Sequence, residues 1–338
     1  MKERILSGIR ASGKLHVGNY LGALKQFVEL QNSGGHECFF FIADLHALTT
    51  PFEPKELSQN TLEVAAEYLA AGIDPDKSVF FLQSQVLEHT ELAWIFNCLT
   101  SLGELLRMPQ FTEKAKLSEY KIENNVTARR QFIVNAMNDM KFHVNAGLLN
   151  YPSLMAADIL LYKPTLVPVG EDQVAHIDLT KHTAKLFNNR FGETFPIPKT
   201  YLQKPLRIMS LSDPTKKMSK TGDEALMLDD SPQEILRKLK KAVTATDTKK
   251  GSPGVENLKF LLEQFGGTSR VKDFTKYNEL KESLAKKIAE HFAEFRNKKT
   301  KIMANKKQLT QILAEGASKA QKIAGKTLAE VKEKIGLI

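Results

Sequence analysis

The chain has 338 residues, of which 42% are hydrophobic and 26% charged, with a formal net charge of +9. That length and balance suit a folded protein with two domains and a substantial core, and exclude disordered and fibrous classes. No apolar run reaches membrane-spanning length and the start, Lys2-Glu3-Arg4, lacks a leader pattern, so a cytoplasmic location is expected.

The charge is unevenly placed. Residues 1–230 carry 24 Lys and Arg against 27 Asp and Glu, whereas residues 231–338 carry 24 against 12. A basic C-terminal third suits a polyanion-binding appendage on a near-neutral catalytic body, or lysine-rich helices that serve only solubility.

At the start, an apolar strand opening at Ile5-Leu6 and a turn between Gly8 and Gly13 lead into Lys14-Leu15-His16-Val17-Gly18-Asn19-Tyr20, and the apolar spacing from Leu21 to Leu30 is helical. His16 and Asn19 therefore sit at a helix entrance. Free backbone N–H groups and the helix dipole favour anions there, and Gly18 leaves room for a base or ribose. Further strands are expected at Glu37 to Ala43, Ser78 to Gln83 and Leu166 to Val169, alternating with helices at Pro54 to Ala71, Thr90 to Leu102 and Pro152 to Leu161. This is an α/β pattern, a Rossmann-like parallel sheet covered by helices. Ligands bind such sheets at the carboxyl ends of strands, so His16, the Asp44 to His46 stretch and the Gly170 to Gln173 stretch are expected at one crevice. His46 is read either as a pocket residue or as a core histidine. Cys38 and Cys98 lie in apolar surroundings and are expected as buried thiols.

Residues 110–147 interrupt the alternation with a polar insertion. After it, Tyr151, Met155 and Asp158 fall on one face of an apolar helix at i, i+4 and i+7. A buried carboxylate needs donors: an incoming indole N–H, which donates and cannot accept, matches it, and a protein Arg or backbone N–H is the alternative. The run Val167-Pro168-Val169-Gly170-Glu171-Asp172-Gln173 reads as a strand, a glycine turn and a polar cluster suited to a ribose or to capping a helix.

Past the turn at Asp213-Pro214, Lys217-Met218-Ser219-Lys220-Thr221 places two ammonium groups three residues apart. A loop of this kind can neutralise charge on a pyrophosphate leaving group. From Ser231 strands give way to helices, expected at Pro232 to Ala242, Val255 to Phe265, Tyr277 to Asn297, Lys306 to Gly316 and Ser318 to Ile335. The expected organisation is 1–199 catalytic, with 110–147 inserted, 200–230 as linker and Lys217–Thr221 loop, and 231–338 all-helical. No Walker loop occurs. Catalysis by positioned charge is left, carried by His16, Asn19, Lys217 and Lys220, with Mg²⁺ bound mainly through ATP phosphates and no dedicated protein cage.

The His16 and Lys217 segments, in this order and with Gly170-Glu171-Asp172-Gln173 between them, resemble the two signature motifs of class I aminoacyl-tRNA synthetases. Gly103-Glu104-Leu105, Leu154 to Tyr162, Ile208-Met209-Ser210-Leu211 and Ser252-Pro253-Gly254-Val255 extend the resemblance along nearly the whole chain, to the bacterial tryptophanyl members. The resemblance implies a homodimer that activates L-tryptophan with ATP and transfers it to tRNA(Trp), its helical domain reading the anticodon. By similarity, Arg10, Ala11, Ser12, His16, Gly18, Asn19, Gly170, Glu171, Asp172, Ile208, Lys217, Met218, Ser219, Lys220 and Thr221 would hold ATP, with Lys114 as a further phosphate-side cation. Asp158 would receive the indole N–H, and His46, Tyr151, Met155, Val167, Val169 and Gln173 would complete the amino-acid pocket. Ala11 stands where the family usually has proline, which implies a looser first ATP loop. Thr221 stands for a usual serine and keeps its hydroxyl. The stretch from Ala115 to Ala146 is longer than in compact members and is read as a lid, a tRNA contact or a surface excursion. A tyrosyl enzyme and a non-catalytic relative that binds tryptophan or tRNA are the rival readings.

Overall fold

The computed structural model describes residues 2–11, 13–109, 111, 145–202, 208–218, 225–244, 252–266 and 277–337. Ser12, Lys114, Ser219, Lys220 and Thr221, most of the insertion and part of the linker lie outside the described residues.

The described residues form a five-stranded sheet in the order β3-β2-β1-β4-β5, all parallel: β1 Glu3–Arg10, β2 His36–Ala43, β3 Ser78–Leu82, β4 Leu166–Val169 and β5 Lys199–Leu202. Residues Cys38 to Ala43 of β2 are buried without alternation, as expected of a parallel strand covered on both faces. The strand order reverses between β1 and β4. That is the switch point at which doubly wound sheets leave a crevice beyond the strand ends.

The helices follow local chemistry. A helical run starts at Val17–Asn19, passes through a π-helical turn, Tyr20–Leu24, and continues as α1, Lys25–Asn32. In α2, Pro54–Ala71, proline occupies the first turn and Gly72, at φ 115°, closes the end in the left-handed conformation. Then come α3, Glu88–Asn97, and α4, Ala146–Leu160. Helix α4 starts six residues before the expected Pro152, because Asn145 Oδ1 accepts from Leu148 N at 2.8 Å and caps it there. Helix α5, Val174–Phe191, leads toward β5.

C-terminal helices α6, Pro232–Lys241, α7, Pro253–Gly266, α8, Tyr277–His291, α9, Ala293–Ala304, and α10, Lys306–Ile335, complete the described chain. Two expectations need correction. The single helix expected at Tyr277 to Asn297 breaks at buried Phe292, and the expected pair around Gly316 is one continuous helix. Gly316 lies against β3: a Cβ there would be 1.7 Å from the Phe80 carbonyl oxygen, so glycine permits contact between helix and strand backbones. One buried cluster joins Ile5, Phe27, Phe40 and Tyr68 to Leu258, Leu284 and Phe292, so the C-terminal helices share the core on one sheet face. The far half of α10, with Ala317, Ala320 and Leu328, joins the core on the other.

Candidate active site

A cavity of about 570 Å³ opens at the switch point, lined by Leu6 to Arg10 from β1, Ala43 at the end of β2 and His46 beyond it, Tyr151, Met155 and Asp158 from α4, and Val167 to Gly170 with Gln173 from β4 and its turn. Asn19 reaches the same space. All seven residues expected to form an amino-acid pocket therefore line one cavity, together with Arg10, Asn19 and Gly170 from the expected nucleotide side. Its floor is tight: a Cβ on Gly8 would fall within 2.9 Å of the Phe41 ring.

Asp158 is the electrostatic centre. It is 1% exposed, and its oxygens are already hydrogen-bonded. His46 Nε2 lies 2.8 Å from Oδ2, His89 Nδ1 lies 2.5 Å from Oδ1, and Gln83 Nε2 donates to both at 2.8 and 2.9 Å. Burial raises the carboxyl pKa, but the His46 and His89 bonds and charges outweigh it and hold the value down at about 2. The donors needed by the buried carboxylate are thus supplied within the protein by two histidines and an amide, none of them the expected Arg or backbone N–H. His46 is half-buried rather than a core histidine: it bonds Asp158 and faces the cavity.

Gln83 and His89 are the residues sequence reasoning missed. Gln83 is a fully buried polar residue at the carboxyl end of β3, after Phe80-Phe81-Leu82, and a polar side chain there is the usable signal. His89, fully buried in α3, also contacts the Tyr162 hydroxyl through Nε2 at 2.8 Å. Above Asp158, the Tyr151 hydroxyl meets His176 Nε2 at 2.5 Å, and burial pushes that phenol's pKa up. Arg10 points its guanidinium to the Ala47 carbonyl and the Thr50 hydroxyl, at 3.2 and 2.6 Å, and burial lowers its pKa.

On the other side, the His16 N–H donates to Asn19 Oδ1 at 3.1 Å and the His16 carbonyl accepts from Asn19 and Tyr20, which starts the helical run. Gly18 is required here: a Cβ would lie 2.8 Å from the His16 imidazole and 3.7 Å from Ile208 Cβ. Buried Ile208 accepts from Met218 N at 2.9 Å, and Lys217 pairs antiparallel with Met209. The two distant signature segments are therefore neighbours, joined through Ile208. Ala11 is buried at 2% exposure at the end of β1. Glu171, Asp172 and Gln173 form a short 3-10 turn after Gly170, with Gln173 Nε2 donating to Asp172 Oδ2 at 2.9 Å. Cys38 is buried as expected, but Cys98 is exposed where α3 ends.

Comparison with known proteins adds to this geometry. A "Tryptophan--tRNA ligase" of Caldanaerobacter subterraneus subsp. tengcongensis is 43% identical over 99% of each chain. Among solved structures, tryptophanyl-tRNA synthetase of Campylobacter jejuni, complexed with ADP and tryptophan, superimposes with a TM-score of 0.82 at 32% identity, over 99% of this chain and 100% of that one. The enzyme of Mycoplasma pneumoniae gives 0.83 at 35% identity, over 100% and 99%. The profile of the tRNA synthetases class I (W and Y) matches residues 2–316, and with that span the chain belongs to this family.

Proposed function

We propose that this chain activates L-tryptophan with ATP and then esterifies tRNA(Trp). The observation that carries the reading is Asp158: an ionised acceptor buried beneath a largely apolar, ring-sized cavity, with the His16 turn opening onto the same space through Asn19. Tryptophan–tRNA ligation is the activity named for the 43% identical relative.

In the first step a tryptophan carboxylate oxygen attacks the ATP α-phosphorus. The bond from that phosphorus to the bridging oxygen breaks, and its electron pair leaves with pyrophosphate. In the second, a ribose hydroxyl at the tRNA 3′ end attacks the acyl carbon, the bond from that carbon to the phosphate oxygen breaks, and AMP departs with the hydroxyl proton on its phosphate. Neither step requires a strong base; both need placement and neutralised charge. His16 and Asn19 would hold the phosphates at the helix entrance, and Lys217 and Lys220 would neutralise the leaving pyrophosphate. Arg10, Ala11, Ser12, Gly18, Gly170, Glu171, Asp172, Ile208, Met218, Ser219 and Thr221 would complete the nucleotide site.

Asp158 would accept the indole N–H. Since His46 and Gln83 already occupy Oδ2, and His46 alone of the donors faces the cavity, the ligand takes the place of His46. Tyr151, Met155, Val167, Val169 and Gln173 would enclose the ring; the apolar Met155, Val167 and Val169 favour indole over a phenol, whose hydroxyl needs polar partners.

Mg²⁺ would enter on the ATP phosphates, whose hard oxygens suit it; among the described residues no three His, Cys, Asp or Glu side chains gather as a metal site. The basic region 231–338 would bind the tRNA anticodon. A homodimer is supported by the outer side of α3 and its start, where Leu87, which caps the helix, and Trp94 within it stand 71% and 70% exposed, seven residues apart. No described helix is long and apolar enough to cross a membrane, and the cytoplasm is the proposed location. Exchange of labelled pyrophosphate into ATP, measured with tryptophan and with tyrosine and followed by tRNA charging, tests the reading. Tryptophan alone is expected to support both reactions; exchange with tyrosine alone would overturn it.

A further inference from the structure

A buried ionic group outside the cavity reaches the first signature segment and the stretch Leu226–Asp229. Glu67 of α2 is 0% exposed. Its Oε2 accepts the Leu15 N–H at 2.8 Å, one residue before His16, and its Oε1 accepts from Lys299 Nζ of α9 at 2.7 Å. Lys299 is itself buried and donates a second bond to Asp229 Oδ2, also at 2.7 Å, an oxygen shared with Lys14 Nζ at 2.9 Å. Asp229 follows Leu228, whose N–H donates to the Leu15 carbonyl at 3.0 Å, while Val17 N donates to the Leu226 carbonyl at 2.8 Å. Both backbone polar groups of Leu15 are thus held by elements that Lys299 grips.

The same C-terminal helices touch the other end of this segment. The Tyr20 ring meets Phe292 edge-on at 5.0 Å, and the Tyr20 hydroxyl lies 3.1 Å from His291 Nε2. A buried ion pair is a poor source of stability, because desolvation offsets most of its attraction and well-packed apolar residues often serve as well. Its placement beside Leu15 points to geometry instead.

We propose that Lys299 is a positioning residue for ATP: through Glu67 and Asp229 it fixes Leu15 and the Leu226–Leu228 segment, so the C-terminal helices set the placement of the His16 turn. The inference rests on the reading that this turn binds ATP. Misplacement of a reacting group by about 1 Å can cost up to about 100-fold, so loosening Leu15 acts on the nucleotide and leaves the Asp158 pocket intact.

The test uses the full chain in pyrophosphate exchange at saturating tryptophan with varied ATP. It compares Lys299→Met, the double variant Glu67→Leu with Lys299→Met, and His16→Ala as reference. Lys299→Met is expected to raise KM for ATP about tenfold, with tryptophan affinity measured without ATP staying within about twofold. If an unpaired buried Glu67 prevents that variant from folding, the double variant, which leaves neither charge of the pair, carries the same expectation. An ATP KM within about twofold of wild type in the folded variant, or equal losses of ATP and tryptophan binding, overturns the positioning role. If His16→Ala impairs ATP use and the Lys299 variants do not, the positioning role alone fails. If His16→Ala leaves ATP use unchanged, the nucleotide-site reading fails and the inference falls with it.

Discussion

The imidazole of His89 bridges Asp158 and Tyr162, with Nδ1 2.5 Å from the Asp158 carboxylate and Nε2 2.8 Å from the Tyr162 hydroxyl. A carboxylate only accepts, so Nδ1 carries the hydrogen of that bond, while Nε2 faces the Tyr162 hydroxyl. His89→Leu removes one bond to a buried charge, a loss of about 1–3 kcal/mol. The expected outcome is a rise of roughly tenfold or more in the tryptophan KM of pyrophosphate exchange with little change in the ATP KM. Equal shifts in both would assign His89 to general folding.

On the proposed reading, the ligand competes with His46 for Asp158 Oδ2. Tryptophan binding is expected to move the imidazole NMR signals of His46, whose bond the indole N–H replaces, and to leave those of His89 nearly in place. Titration of the free protein with tryptophan, using His46→Gln to assign the signals, checks this. Unmoved His46 signals at saturation would mean that the indole lies elsewhere.

Acidity gives an independent measure of the same group. Folding lowers the Asp158 pKa from an ordinary 3.8 to about 2. The sign follows: above pH 4 the unfolded carboxylate is also ionised and the stabilisation is fully present, and it is lost as pH falls toward 2. Its size is on the order of 2 kcal/mol. The stability gap between wild type and Asp158→Asn, measured by urea unfolding, is expected to narrow by about that amount from pH 4 to pH 2. A constant gap would show that the bonds to His46 and His89 do not hold the charge.

Gly316 offers a test of the fold. Alanine there places Cβ 1.7 Å from the Phe80 carbonyl oxygen, and backbone cannot yield as a flexible side chain can. Gly316→Ala is expected to lower stability by at least about 2 kcal/mol, read as the urea midpoint, although alanine is the better helix former. Stabilisation would instead mean that α10 does not lie on β3.

These residues mark where sequence reading succeeds and where it stops. The alternation of strands and helices was legible because parallel strands such as β2 are unbroken apolar runs and α2 carries its own proline and glycine stops. The pocket face of α4 was legible because Tyr151, Met155 and Asp158 share a helical spacing. Partners of Asp158 were not, since Gln83 and His89 lie about seventy residues away and nothing in their local pattern marks the pairing. Gly316 looked like a stop because glycine weakens helices; its tertiary contact with Phe80, invisible locally, overrides that propensity. Cys98 looked buried because its apolar neighbours turn inward while it faces out with Trp94.

The central claim is that Asp158 receives the indole N–H, and its most direct test pairs a residue change with a ligand change. Exchange kinetics are measured for tryptophan and for the alanine derivative bearing benzothiophene, which places sulfur where indole has N–H, on wild type and on Asp158→Asn. Wild type is predicted to prefer tryptophan by at least about 100-fold in kcat/KM, because the analogue leaves a buried acceptor without its donor, and the variant to lose most of that preference. The same preference in both proteins would contradict the account.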